Sequence, residues 1–171
     1  MEGPQTRPYP AGWGNGVMML LRRDPDAIRI RPARRSEMQA LAALAADVAR
    51  EAFPWNEVPP NPAEAYLESI DGEEVFVAFV GTKMAGFLTL YAPRNFIHTL
   101  GVVAAFRSHG VGQALIAHVR ARVKGPLELK VEELNTHALD FYERNGWHRV
   151  RGEGGQGVNE NGVRWFRLRL D

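Results

Sequence analysis

The chain has 171 residues, of which 45% are hydrophobic and 24% charged, with no cysteine and a formal net charge of +1. This length supports one domain that buries about 70% of its unfolded surface, and the ordinary composition excludes a disordered or membrane-embedded chain. The small net charge argues against nucleic acid or anionic lipid as partner, while the missing thiols exclude disulfides and thiolate chemistry and fit a cytoplasmic location.

Residues 1–26 carry Pro4, Pro8 and Pro10 among Gly3, Gly12, Gly14 and Gly16, a composition that resists helix and strand. They are predicted to form an extension outside a single domain over 27–171. Residues 17–21 are too short for the apolar core of an export signal and run into Arg22 and Arg23; Met18 or Met19 is an alternative start. Alternating apolar and basic side chains predict a first strand over 28–31, and Ser36 with Gln39 has the spacing of a capping box, so a helix should start at Ser36. Leu41, Leu44, Ala45 and Val48 share one face of that helix, which ends before Pro54. Asn61, Pro62 and Glu64 signal a second helix, with Tyr66, Leu67 and Ile70 on its apolar face before Gly72. Residues 75–80 and 84–91 form a hairpin about Gly81, Thr82 and Lys83. A further strand over 96–103 runs into Gly110, after which Val111, Leu115, Val119 and Val123 set a helical stripe. Leu127, Leu129 and Val131 alternate with Glu128 and Lys130 as a strand parallel to the previous one, because a helix crosses between them. Asn135 caps a last helix through Ala138, Leu139, Phe141 and Tyr142, which stops at Asn145 and Gly146. Val150 and the run 163–170 supply closing strands joined by a loop rich in Gly, Asn and Glu. The order β, α, α, β, β, β, α, β, α, β, β predicts an α/β domain without internal repeats.

Chemistry concentrates where a strand gives way to a helix. Arg107, Ser108, His109, Gly110, Val111, Gly112 and Gln113 place a basic side chain and two glycines at a helix start, where free amides hold anions. On spacing alone the Gly-x-Gly pair serves either a phosphate or close packing. No Gly-Lys-Ser/Thr follows, and Leu115 stands where a dinucleotide fingerprint has its third glycine.

Leu100-Gly101-Val102, five residues to Arg107, then x-x-Gly-x-Gly, followed by Asn135, Ala138 and the run from Phe141 through Trp147, resembles the GNAT superfamily of coenzyme A-dependent N-acyltransferases. The resemblance covers nearly all of residues 28–170. It implies a mixed, mostly antiparallel sheet of about seven strands flanked by four helices, with the fourth and fifth strands splayed to admit the pantetheine arm. It implies that Leu100, Gly101 and Val102 offer backbone groups to that arm, with the Leu100 amide facing the thioester carbonyl. Arg107 through Gln113 would wrap the pyrophosphate, and Asn135 would touch the coenzyme where the strands part. Tyr142 matches the tyrosine that protonates the departing thiolate, a task suited to a phenol with an ordinary pKa of about 10. Its residue-level alternative is a buried aromatic beside Phe141.

Making an alkyl amine neutral at pH 7 costs about 4 to 5 kcal/mol, so a base is needed. His98, two residues before Leu100, is the candidate on this strand, against the alternatives of a hydrogen-bonded core histidine or an ordered water as base. Glu132 and Glu133 are substitutes, unless they are a solvated strand end. His109, His118, His137 and His148 lack the spacing of metal ligands, and no metal is expected. Arg120, Arg122 and Lys124 lack an aromatic platform and are expected to be a solvated face. Phe53, Pro54 and Trp55 fall between the first two helices, where the resemblance puts the acceptor; Trp55 serves either cation–π contact or packing. The expectation is an acetyl-CoA-dependent N-acetyltransferase acting on a small-molecule or protein amine by direct attack, as monomer or homodimer. Its rival is a noncatalytic acyl-CoA-binding sensor or interaction domain.

Overall fold

The computed structural model describes residues 27–171; the extension expected over 1–26 lies outside the described residues. Strand β1 (Ile28–Pro32) leads to helices α1 (Met38–Ala52) and α2 (Pro62–Ser69), then to strands β2 (Glu74–Val80), β3 (Lys83–Tyr91) and β4 (Phe96–Val102). Helix α3 (Val111–Arg120), strand β5 (Leu127–Glu132), helix α4 (Thr136–Arg144) and strands β6 (His148–Arg149), β7 (Gln156–Val158) and β8 (Arg164–Leu170) complete the chain. The strands form one sheet in the order β1-β2-β3-β4-β5-β8-β6, with β7 also on β8, and every pairing is antiparallel except β4 with β5. None of the described helices is long and apolar enough to cross a membrane.

Alternation along the strands divides the core between the two faces. Phe76 and Ala78 of β2 and Leu88 and Leu90 of β3 pack with Val111, Leu115, Val119, Leu139 and Tyr142 from α3 and α4. Val77 and Phe87, one residue out of phase, pack with Leu41 and Ala45 of α1 and with Tyr66 of α2. The two faces thus carry different helices, and a gap in the sheet would connect them.

The start of α1 departs from expectation. A 3-10 turn over Arg35–Glu37 precedes Met38, and Glu37 in place of the Ser36 and Gln39 pair organises it. Its carboxylate accepts from the Arg34 backbone N–H at 2.8 Å and pairs with Arg31 of β1 at 2.6 Å. That guanidinium is the first cause holding the Glu37 carboxyl well below its ordinary range, with the Arg34 amide second. Asn61 makes no side-chain cap; Pro62 in the first turn, with its missing N–H, opens α2 instead. The closing loop hides an eighth strand, β7, because Gly157 leaves room for the ring of Trp165; a Cβ there would stand 2.5 Å from Cζ2.

Candidate functional site

Strands β4 and β5 stay paired only at their first residues, through Phe96 opposite Glu128 and a hydrogen bond of 3.0 Å from Glu128 N–H to the Asn95 carbonyl. Beyond that point they part, as the resemblance implies. On the other edge of β4, Val103 N–H donates to the Ala85 carbonyl and Thr99 N–H to Thr89 Oγ1, each at 3.0 Å, so the odd-numbered amides turn toward β3. By alternation the amides of Leu100 and Val102 turn toward the parted edge. Gly101 turns with the odd set, and a Cβ on it would lie 2.3 Å from Phe87 Cζ. The packing of Phe87 therefore accounts for its missing side chain.

The gap leads up to the turn before α3. Ser108 and Gly110 there have φ of +63° and +79°, the left-handed region that glycine enters without steric cost. With Gly110 as N-cap, the amides of Val111, Gly112 and Gln113 precede the first helical hydrogen bond, which runs from Ala114 N–H to the Gly110 carbonyl at 2.9 Å. Such a cluster of amides suits an anion. Arg107 is held beside it, donating through Nε to the Val102 carbonyl at 3.3 Å and pairing with Glu51 of α1 at 2.8 Å. His109 Nδ1 lies 2.7 Å from the Arg107 carbonyl, and Gln113 donates to Asn145 Oδ1 at 2.7 Å. Gly112 lets α3 approach α4 closely: a Cβ there would stand 3.2 Å from Phe141 Cζ and 3.7 Å from Val102 Cγ2. Loop, β4 and α4 thus converge at one place.

Asn135, beyond the end of β5, caps α4 by accepting from Ala138 N–H at 3.2 Å. Seven residues on, Tyr142 is buried, with edge-to-face contacts to Phe141 at 5.2 Å and Trp147 at 5.3 Å. The aromatic packing that competes with catalysis for this residue is real, and no hydrogen bond engages its hydroxyl among the described residues. Burial pushes the phenol pKa up, so Tyr142 is fully protonated at neutral pH.

His98 lies toward the other end of the gap, about 7 Å down β4 from Leu100 at the strand rise. Leu90 pairs with Ile97 and Thr89 with Thr99, leaving His98 as the extra residue of a β-bulge. The imidazole is partly exposed, and its Nδ1 lies 2.8 Å from Glu73 Oε1, ahead of β2. Glu73 was not a candidate on sequence grounds; it is 25 residues away, and only the β2–β3–β4 register brings it near.

Glu132 is neither a free base nor a solvated strand end. It accepts from Trp55 Nε1 at 2.7 Å, from Asn159 Nδ2 at 2.9 Å and from Asn56 Nδ2 at 3.5 Å, which ties the α1–α2 connection to the β7–β8 turn. Trp55 is half-buried and packs edge-on against Phe53 at 5.9 Å, so it acts as a hydrogen-bonded anchor. Glu133 is held loosely by Arg164 at 3.9 Å across an exposed pair. No cluster of three or more His, Asp or Glu that could hold a metal occurs among the described residues.

A sequence profile of the acetyltransferase (GNAT) family matches residues 39–147. The chain is 29% identical over 127 residues to the peptidyl-lysine N-acetyltransferase YiaC of Escherichia coli K12, covering 71% of this chain and 84% of the relative. Its fold superposes on the apo form of YjaB from E. coli with a TM-score of 0.66 at 20% identity, over 84% of this chain and 97% of that one. It also superposes on the PaiA N-acetyltransferase of Thermoplasma acidophilum, solved with coenzyme A, with a TM-score of 0.65 at 14% identity over 84% and 98%. The profile match spans well over half of the chain, and the chain belongs to the acetyltransferase (GNAT) family.

Proposed function

We propose that the protein transfers the acetyl group of acetyl-CoA to a primary amine by direct attack within a ternary complex, in the cytoplasm and as a monomer or homodimer. The observation that carries this reading is the parted edge of β4, where the Leu100 and Val102 amides lead into the free amides at the start of α3. The two sets suit the two parts of the coenzyme, a polar pantetheine arm and a pyrophosphate. In this reading the amides from Ser108 to Gln113, with Arg107, hold the diphosphate, and Asn135 borders the arm where the strands separate. The Leu100 N–H faces the thioester carbonyl and donates to the oxyanion of the tetrahedral intermediate, a contact whose removal costs about 3 to 4 kcal/mol.

His98 accepts a proton from the acceptor ammonium, directly or through one water, and the neutral amine attacks the thioester carbon. A C–N bond forms, and on collapse the C–S bond breaks. Tyr142 gives its hydroxyl proton to the departing thiolate, and the second amine proton replaces it. Burial pushes the Tyr142 phenol pKa up, which keeps the proton on its hydroxyl until the thiolate forms. Attack and departure use opposite faces: Tyr142 belongs to the α3–α4 side, while the Glu73 partner of His98 borders Tyr66 of the α1–α2 side.

The acceptor class that the cleft supports is a lysine side chain in a polypeptide, the class in the name of the E. coli relative. Val58, Leu134 and Val158 are 53%, 51% and 64% exposed. Each lies within two residues of Asn56, Glu132 or Asn159, so the Glu132 network has an apolar rim. Isolated amines have no use for such a rim; a peptide does. Titration calorimetry with acetyl-CoA, followed by thiol release with lysine peptides and free amines, tests the reading. Absence of acetyl-CoA binding overturns it, and binding without turnover of any amine replaces it with the sensor alternative.

A further inference from the structure

The carboxylate beside His98 is costly to keep unless it has a task. Glu73 is 9% exposed at its side chain. Among the described residues only Oε1 is engaged; Oε2 is buried without a partner there. The hydroxyl of Tyr66 is also buried and without a partner among the described residues, and burial first, then the Glu73 charge, pushes that phenol pKa up. Buried polar oxygens left unpaired carry an energetic cost, and with the Glu73 charge acting on the Tyr66 phenol the two call for a functional reason. An ordinary surface pair between His98 and a solvated glutamate would carry no such cost.

We propose that Glu73 is a positioning residue that holds His98 in the tautomer protonated on Nδ1, so that Nε2 is the atom that accepts the acceptor's proton. The proposal rests on the assignment of His98 as base above. A neutral imidazole has one donor and one acceptor nitrogen, and the neighbour of one fixes the role of the other. Glu73 Oε1, at 2.8 Å from Nδ1, can only accept, so Nδ1 carries the hydrogen and Nε2 carries the lone pair. The β-bulge serves the same arrangement. Inserting His98 between the Ile97 and Thr99 pairs frees it from the strict inward and outward alternation of β4, and Thr89 Oγ1 takes up the Thr99 amide that the irregularity leaves over. When Nε2 takes the proton, the imidazolium faces a carboxylate already in place, and its partly exposed ring returns the proton to solvent. Glu73 touches neither substrate; it acts through His98.

Nitrogen-15 NMR of histidine-labelled protein at pH 8 reads the tautomer directly, without an acceptor. His98 should show a protonated Nδ1 and an unprotonated Nε2, and Glu73→Ala should move its signals to the averaged values of a free imidazole. An Nε2-protonated His98 in the parent protein, or unchanged signals in Glu73→Ala, overturns the proposal. The isosteric Glu73→Gln keeps an acceptor oxygen for Nδ1 and should retain the tautomer. In thiol-release kinetics with Nα-acetyl-lysine methylamide, Glu73→Ala should lower kcat about 10- to 100-fold with KM for acetyl-CoA unchanged. The same substitution in a His98→Ala background should cost nothing more; an equal loss there would make Glu73 merely structural and overturn the proposal. Unchanged kcat in His98→Ala alone sinks the assignment of the base, while the NMR result still decides whether Glu73 sets the tautomer.

Discussion

Gly101→Ala separates a packing glycine from a ligand-binding one. A Cβ at this position would lie 2.3, 2.5 and 3.1 Å from three atoms of the Phe87 ring, whereas ordinary contact begins at 3.4 Å. The ring must therefore retreat by about 1 Å, and it has nowhere easy to go in a close-packed interior. Phe87 is 1% exposed and meets Tyr66 edge-on at 5.9 Å, with Leu41, Ala45 and Val77 completing the cluster. Overpacking of this kind costs about 1 to 3 kcal/mol. For a domain of this size that corresponds to a fall in Tm of about 2 to 12 °C. Differential scanning calorimetry measures it. The decisive comparison repeats the substitution in a Phe87→Leu background, where the smaller side chain makes room and the additional loss should fall by more than half. If Gly101→Ala leaves Tm unchanged and instead weakens acetyl-CoA binding, the glycine serves the coenzyme and the packing explanation is wrong.

Tyr142→Phe keeps the ring that packs on Phe141 and Trp147 and removes only the hydroxyl, so kcat should fall about 100-fold with acetyl-CoA affinity kept; unchanged kcat removes Tyr142 from the mechanism. The same variant should flatten the alkaline end of the stability profile. A phenol whose folded pKa lies above its unfolded value contributes stability that is complete below about pH 10 and is lost as pH rises beyond it. Equal alkaline slopes by denaturant titration would contradict its burial. Glu51→Ala frees Arg107 from an exposed pair at 2.8 Å, worth at most about 1 kcal/mol, and should tighten acetyl-CoA binding by no more than about fivefold in calorimetry; weaker binding would show that the pair orients Arg107 for the ligand. Glu37→Gln should destabilise at pH 7 by thermal melting, and the difference should vanish as acid titrates the carboxyl below its ordinary range; a loss independent of pH would mean the charge is irrelevant.

What the sequence disclosed depended on how local the cause was. Periodicity located the helices and the hairpin because the face a residue occupies repeats within its own element, and Asn135 and Gly146 were legible as helix start and stop because a cap is a contact across a few residues. The two glycines of the anion turn looked alike on spacing yet differ in cause: Gly110 needs a positive φ, and Gly112 needs room for Phe141 from another helix. Glu37 displaced the expected Ser36 cap because its ion partner Arg31 lies on the preceding strand, outside the window in which capping is recognised. Strand β7 was hidden in a polar, glycine-rich stretch whose Gly157 is explained only by Trp165 across the ladder. Glu73 with His98, and Trp55 with Glu132 at a separation of 77 residues, depend wholly on tertiary register, for which the residues themselves offer no local sign.

The parted parallel pair is what joins these separate causes into one site. Had β4 and β5 stayed paired along their length, the amides of Leu100 and Val102 would be spent on the ladder, and the sheet would be a closed wall between Tyr142 in one core and Glu73 with Tyr66 at the other. Parallel pairing is the weaker kind per residue, so an opening here sacrifices less than it would between the antiparallel neighbours. It also needs support from both sides: α4 is drawn to the α3 turn by Gln113 and Asn145 and by the seat of Phe141 on Gly112, while Glu132 binds the far lip to the α1–α2 connection. In the proposed mechanism the acid on one face and the base on the other are of use only if the reacting bond lies in the plane between them, and the gap is where backbone donors from β4 face that plane without a strand to receive them among the described residues.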